Sequence, residues 1–348
     1  MTPDGSDDSE QPHALPDGAF DRLGPREIIA AVEQLYGYSL DGTVERYASY
    51  VNRVYGLRTE EGERLVVKFY RPGRWTVEAI AEEHDFIRDL SDGDVPVVVP
   101  LPDRDDDTVS EVEFDDDGAL TVPMALFPRR GGRSFDAERD EDWYRLGTVV
   151  GRLHSVGQRG RAPERTVLTT EWSREYLRVM RRDGVIHPNV EGEFLDLCGS
   201  ALERIAPLLD GQDRLRIHGD CHRGNILDRP GEGLLLIDFD DMMNGPAIQD
   251  LWLLLPGRLQ ETRRELTMLL EGYEEFQDLE YRQLDLVEPL RFMRMIHYLA
   301  WQAQQRHDHW FRAENPEWGN YAFWVKELED LREQTQYFPE SITGAQRE

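Results

Sequence analysis

Ile28, Ile29, Val32, Leu35 and Tyr36 recur at three- and four-residue intervals, the spacing of one face of a short helix within residues 19–40. The period then shortens to two. Residues 43–48, 52–58 and 64–70 read as strands, with Glu61-Gly62 as the turn between the last two. Arg71-Pro72-Gly73 breaks the pattern, residues 76–90 return to helical spacing, and 95–101, 109–114 and 119–127 read as further strands ending at Pro128. Beyond Gly131-Gly132 helical periodicity dominates. Trp143, Leu146, Val149, Val150 and Leu153 mark one amphipathic helix; Phe194, Leu197, Ala201, Leu202, Ile205 and Leu208 mark another. Two short apolar runs, 226–227 and 234–237, form the arms of a hairpin, and from Ile248 onward the chain is mostly helix. The pattern predicts an α+β protein with a small antiparallel sheet in residues 21–128 and a larger helical part in 129–335. An acidic leader, 1–20, and a tail, 336–348, flank them.

Composition narrows the classes. With 39% hydrophobic residues, eight Trp and thirteen Phe the chain can build a core, and no apolar run approaches the roughly 18 residues of a membrane span. The leader, rich in Asp, Ser, Pro and Gly, lacks the basic start and apolar centre of a signal peptide and reads as disordered. Two cysteines are too few for a disulfide framework, so the expected location is cytoplasmic. Forty basic against sixty-nine acidic residues leave a net charge of −29, and only Lys68 and Lys326 are lysines. Such acid excess suits a salt-loving organism, because at molar salt the screening length falls to about 3 Å and self-repulsion is quenched. No basic stripe is present to replace phosphate counterions, so nucleic acid is not an expected partner.

The densest chemistry lies in His218-Gly219-Asp220-Cys221-His222-Arg223-Gly224-Asn225 and, after the hairpin turn, Ile237-Asp238-Phe239-Asp240. An asparagine follows Asp220 by five residues, and Asp238 follows it by thirteen more. In kinase catalytic loops one carboxylate accepts the proton of the attacking hydroxyl, while an Asn and a second Asp hold magnesium against the nucleotide phosphates. Mg2+ takes hard oxygen ligands and keeps waters, so one amide and one carboxylate suffice once phosphate oxygens join. The spacing assigns Asp220 as proton acceptor and Asn225 and Asp238 as metal ligands, with ATP as donor.

Lys68 stands in a strand of a chain that otherwise uses Arg, which points to a compact ammonium under nucleotide phosphates. Kinases hold that lysine with a helix carboxylate. Glu82 and Glu83 are the candidates, and helical phase with Phe86, Ile87 and Leu90 favours Glu83. No glycine-rich phosphate loop is present; Ser49-Tyr50-Val51-Asn52-Arg53 stands in its place, with Ser49 as side-chain donor. Adenine is expected against the backbone after Phe127. Asp250, at the start of an apolar helix, either caps that helix or braces the catalytic loop. Only eleven residues separate Asp238 from Asp250, too few for a long phosphorylatable activation segment.

These motifs resemble the aminoglycoside phosphotransferase and choline kinase superfamily, and within it the bacterial stress-response serine/threonine kinases. Segments 49–55, 66–75, 218–222, 244–252, 288–291 and 298–301 carry the likeness, so it spans roughly residues 25 to 330. Val51 departs from it, standing where an acidic residue is expected. The resemblance implies a bilobal, protein-kinase-like fold and the roles given above for Asp220, Asn225 and Asp238, with Ser49 in the nucleotide site. It implies transfer of the γ-phosphoryl of ATP to a protein serine or threonine hydroxyl. The alternative acceptor is a small molecule: an alcohol, a sugar or an aminoglycoside.

Overall fold

The structure, a computed structural model, describes residues 23–47, 49, 51–113, 121–307 and 309–339. The acidic leader, the stretch 114–120 and the end of the tail lie outside the described residues. The elements in chain order are α1 (Pro25–Tyr36), β1 (Leu40–Arg46), β2 (Arg53–Thr59), β3 (Arg64–Phe69), α2 (Val77–Asp92), β4 (Ser110–Glu113), β5 (Thr121–Pro128) and β6 (Arg133–Ser134). There follow α3 (Asp140–Gly157), α4 (Thr170–Arg182), α5 (Pro188–Asp210), β7 (Leu215–Ile217), β8 (Ile226–Arg229), β9 (Gly233–Leu236) and β10 (Met243–Gly245). The chain ends in α6 (Ile248–Trp252), α7 (Arg263–Tyr273), α8 (Val287–Gln305), α9 (His309–Glu314) and α10 (Tyr321–Thr335). This is the expected α+β class.

Two compact units result. One comprises the residues up to Arg133 with Ala162–Arg165 and Leu227–Asp240; the other comprises Ser134–Arg161, Thr166–Ile226 and the residues from Asp241 on. The hairpin arm Leu227–Asp240, counted with the C-terminal part in the sequence reading, thus groups with the first unit.

In the first unit five antiparallel strands run in the order β1-β2-β3-β5-β4. Strand alternation divides β3. Leu65, Val67 and Phe69 bury against Ile28 and Val32 of α1 in one core, together with Val122, Met124 and Leu126 of β5. Each such fully buried side chain contributes roughly 1.5–3 kcal/mol. Val66 and Lys68 belong to the other phase and pair with Phe127 and Ala125. The helix α2 begins where Thr76 Oγ1 accepts from Ala79 N at 3.1 Å, a cap worth about 1 kcal/mol. Residues 95–101, expected as a strand, make only a single bridge, Leu101 to Leu126. Pro96, Pro100 and Pro102 withhold the N–H groups a ladder needs. Pro96 O instead accepts from Leu236 N of β9 at 2.9 Å.

The second unit is helical. The helices α3 and α7 approach so closely that a Cβ on Gly147 would fall 1.9 Å from Leu269 O, so only glycine fits there. The pair β7–β10 is antiparallel, with Ile217 opposite Met243, and delivers the His218-Gly219-Asp220 turn. No helix among the described residues is long and apolar enough to cross a membrane.

Candidate active site

In the first unit a cavity of about 340 Å³ is lined by Ser49, Val54, Lys68, Glu83, Phe127 and Asp238, among others. This lies in the range of small-molecule and cofactor sites. Five sequence-predicted residues therefore share one cavity. The segment before β2 is tied down by Arg71, whose Nε donates to Val51 O at 2.9 Å and whose N donates to Asn52 Oδ1 at 3.1 Å. Those contacts hold the loop in place without a glycine-rich sequence.

Lys68 is almost wholly buried and faces three carboxylates. Its Nζ lies 3.1 Å from Asp240 Oδ1, 3.5 Å from Asp238 Oδ1 and 3.7 Å from Glu83 Oε1. Of the two glutamates, Glu83 reaches Lys68, while Glu82 accepts from Glu164 N at 2.9 Å. The nearest partner is nevertheless Asp240, which the sequence reading had left without a role. Burial alone would lower the Lys68 pKa, but Asp240 and then Glu83 raise it well above its usual value, so the ammonium stays charged. Burial likewise works to raise Asp240. Lys68, Arg74 and Arg165 outweigh it and hold that carboxyl below the ordinary range. Glu83 moves the other way, because burial exceeds the attraction of Lys68 and Arg165.

Two arginines complete this cluster. Arg74 Nε lies 3.0 Å from Asp240 Oδ2, and Arg165 Nη1 lies 3.7 Å from Glu83 Oε2. Arg165 also donates to Asp240 O and sits 3.8 Å above the Trp75 ring. It arrives from Ala162–Arg165, a segment nearly a hundred residues along the chain from Lys68, so no local pattern could announce it. Asp238 has φ +63° and a side chain 57% exposed, a left-handed conformation that Asp tolerates better than most residues. Phe239 beside it packs edge-on against Phe86, centroids 6.0 Å apart.

The second unit holds Asp220, Asn225 and Asp250. Gly219 has φ +84°, and a Cβ there would lie 2.0 Å from Asp241 O. Asp250, fully buried, accepts from His218 N at 2.8 Å, Gly219 N at 2.9 Å and His154 Nε2 at 3.0 Å. Gln249 Nε2 donates to Gly219 O at 3.1 Å and completes the clamp on the turn. Asn225 Nδ2 donates to Asp220 O at 3.0 Å, which leaves the amide oxygen as a hard donor suited to Mg2+. His222 Nδ1 accepts from Gly224 N at 3.0 Å, so the ring proton sits on Nε2, 3.4 Å from Asp220 Oδ2. On the other carboxylate oxygen, Arg294 Nη2 of α8 lies 2.7 Å from Asp220 Oδ1. Burial works to raise the Asp220 pKa, yet His222 and Arg294 bring it below the usual carboxylate range. The sequence assigns no role to Arg294 or His154, nor to Gln249 although it lies in the 244–252 segment; each acts through a fold contact that spacing does not reveal.

Comparison with known proteins fixes the family. The model of the phosphotransferase enzyme family matches residues 43–287. Stress response kinase A of Escherichia coli (strain K12) is 34% identical over 323 residues, covering 92% of this chain and 95% of that protein. The serine/threonine protein kinase RdoA of Salmonella typhimurium is 35% identical with the same coverage. Among solved structures, an amicoumacin kinase in complex with AMP-PNP, Ca2+ and Ami superposes with a TM-score of 0.74 at 17% identity, covering 92% of this chain and 97% of that one. A microcompartment-associated aminopropanol kinase gives 0.66 at 19%, covering 91% and 97%. A clamped His-Gly-Asp turn, a buried Lys68 among carboxylates, and likeness over nine-tenths of the chain lead to one conclusion: this chain belongs to the phosphotransferase enzyme family and is a kinase akin to stress response kinase A.

Proposed function

We propose that the chain is an ATP- and Mg2+-dependent serine/threonine protein kinase acting in the cytoplasm in a stress response. The observation that carries this reading is Lys68, ion-paired with Glu83 and Asp238 in the wall of a nucleotide-sized cavity. Lys68 neutralises phosphate charge, Ser49 donates to a phosphate oxygen, and the chain at Phe127 meets the adenine. Asp220 accepts and orients the acceptor hydroxyl, and Asp250 keeps its turn in shape. Asn225 and Asp238 are the residues that would hold Mg2+, which when bound would neutralise charge on the phosphates. Catalysis is positioning and electrostatics, with little covalent chemistry asked of the protein.

The Salmonella relative, a serine/threonine protein kinase by name, supports a protein acceptor, and the Escherichia coli stress response kinase A supports the stress role. Cys198 and Cys221 are buried and unpaired, which suits a reducing compartment. The acid excess fits work at high salt. A small-molecule acceptor is the second reading, favoured by the structural neighbours, an amicoumacin kinase and an aminopropanol kinase. Transfer of label from [γ-32P]ATP in Mg2+ decides between them. Generic protein substrates and a panel of amino alcohols and aminoglycosides are offered, with Asp220→Asn as control. Label on protein that disappears in Asp220→Asn is expected; label on small molecules alone overturns the protein-kinase assignment.

A further inference from the structure

Arg294 occupies a position that no catalytic assignment above explains. Its Nη2 lies 2.7 Å from Asp220 Oδ1, and among the described residues Asp220 is the one carboxylate within ion-pair distance of it. A guanidinium presents five N–H donors in a planar fork, and one edge suffices for Asp220. The side chain remains 37% exposed, so the guanidinium keeps donors beyond the one on Asp220 and is partly accessible to solvent. His222 Nε2 at 3.4 Å adds a second donor on the same group. An acceptor hydroxyl bound for Asp220 therefore arrives beside an arginine that is ion-paired to the same carboxylate. Such a group repels a cationic acceptor and attracts an anionic one, and its fork matches a carboxylate bidentately.

The surface beyond Arg294 also has the reach of a peptide. Tyr298, one turn on in α8 and 57% exposed, stacks on Trp301 with centroids 5.6 Å apart. Trp301 lies about 10 Å along the helix from Arg294, the span of about three extended residues. We propose that Arg294 is a specificity-determining residue that selects a serine or threonine flanked by an acidic residue, whose carboxylate docks on the outer edge of the fork. This rests on the protein-kinase reading and narrows it to acidic sequences.

The test uses the full chain, Mg2+-ATP and three peptides that differ only in Glu, Gln or Arg beside the serine, with kanamycin as a polycationic control. Wild type should order them Glu, Gln, Arg in kcat/KM. The extremes should differ by about tenfold or more, the effect of one charge-assisted hydrogen bond. Arg294→Glu should invert the order, a result that a merely structural residue would not produce. Arg294→Lys should keep part of the preference and Arg294→Gln should abolish it; these two settle the matter if the reversal variant does not fold. Fluorescent ATP-analogue binding checks each variant. Preference of wild type for the Arg peptide or kanamycin, or unchanged ratios in Arg294→Gln, overturns the proposal while leaving a kinase. No label on any acceptor, with Asp220→Asn indistinguishable from wild type, overturns the kinase reading as well.

Discussion

Asp250→Asn tests the catalytic turn with the smallest change of shape. The carboxylate sits at zero exposure and accepts three hydrogen bonds, from His218 N and His154 Nε2 on Oδ2 and from Gly219 N on Oδ1. An amide of the same size keeps one oxygen and turns an NH2 toward at least one donor. Orphaning one buried donor costs roughly 1–3 kcal/mol, and loss of the charge on the remaining bonds adds about 1 more, so about 2–4 kcal/mol in total. For a unit of this size each kcal/mol moves the midpoint by roughly 2–4 °C, which places the expected loss in Tm near 5–15 °C. Gly219 N and O are held by Asp250 and Gln249, so Asp220 beside it should shift when that clamp loosens. A displacement of about 1 Å can lower kcat about 10²-fold. KM for ATP should change less than kcat, since Ser49, Lys68 and Phe127 of the cavity make no contact with Asp250, and Asn225 is linked to the turn only through Asp220 O. Thermal melting followed by circular dichroism, beside steady-state kinetics, reads both effects. An Asn variant that melts with wild type and keeps its kcat would refute the bracing role.

Lys68→Met should abolish ATP binding by isothermal titration and also destabilise the first unit. Breaking a buried pair typically costs roughly 3–5 kcal/mol. The loss here should fall below that, because Arg74 and Arg165 still face Asp240 and Glu83; a variant more stable than wild type would contradict this charge assignment. His84 predicts the acid limb of stability. Burial pushes its pKa down to about 3, with Nε2 bonded to Tyr70 Oη at 3.0 Å and Nδ1 to Thr108 Oγ1 at 2.9 Å. A histidine with a depressed folded pKa contributes its full stabilisation above its unfolded value near 6.5 and loses it as pH falls toward 3. At about 1.4 kcal/mol per pKa unit the effect reaches about 5 kcal/mol by pH 3. The depressed carboxyls of Asp220 and Asp240 act only below about pH 4, while Glu83, raised by burial, works in the opposite sense in the window between 6 and 4, so the difference between wild type and variant isolates His84. His84→Gln should flatten urea-unfolding stability across that window, and an unchanged slope would exclude His84 as the cause.

The linear sequence determined what depends on spacing. Period-two alternation placed Leu65, Val67 and Phe69 opposite Lys68, and helical phase put Glu83 rather than Glu82 on the inward side of its helix. The Asp220, Asn225 and Asp238 intervals carried the proposed assignments, because spacing within a motif is legible along the chain. The proline-studded 95–101 segment misled, since apolar content there was not matched by N–H groups free to pair. Only the tertiary structure decided which distant charges meet. Asp240 lies nearer Lys68 than Glu83 does, Arg165 reaches both acids from a remote segment, and Arg294 of α8 settles on Asp220. Long-range ion pairs are set by how helices and sheet pack, and packing leaves no periodic trace in the residues that happen to touch.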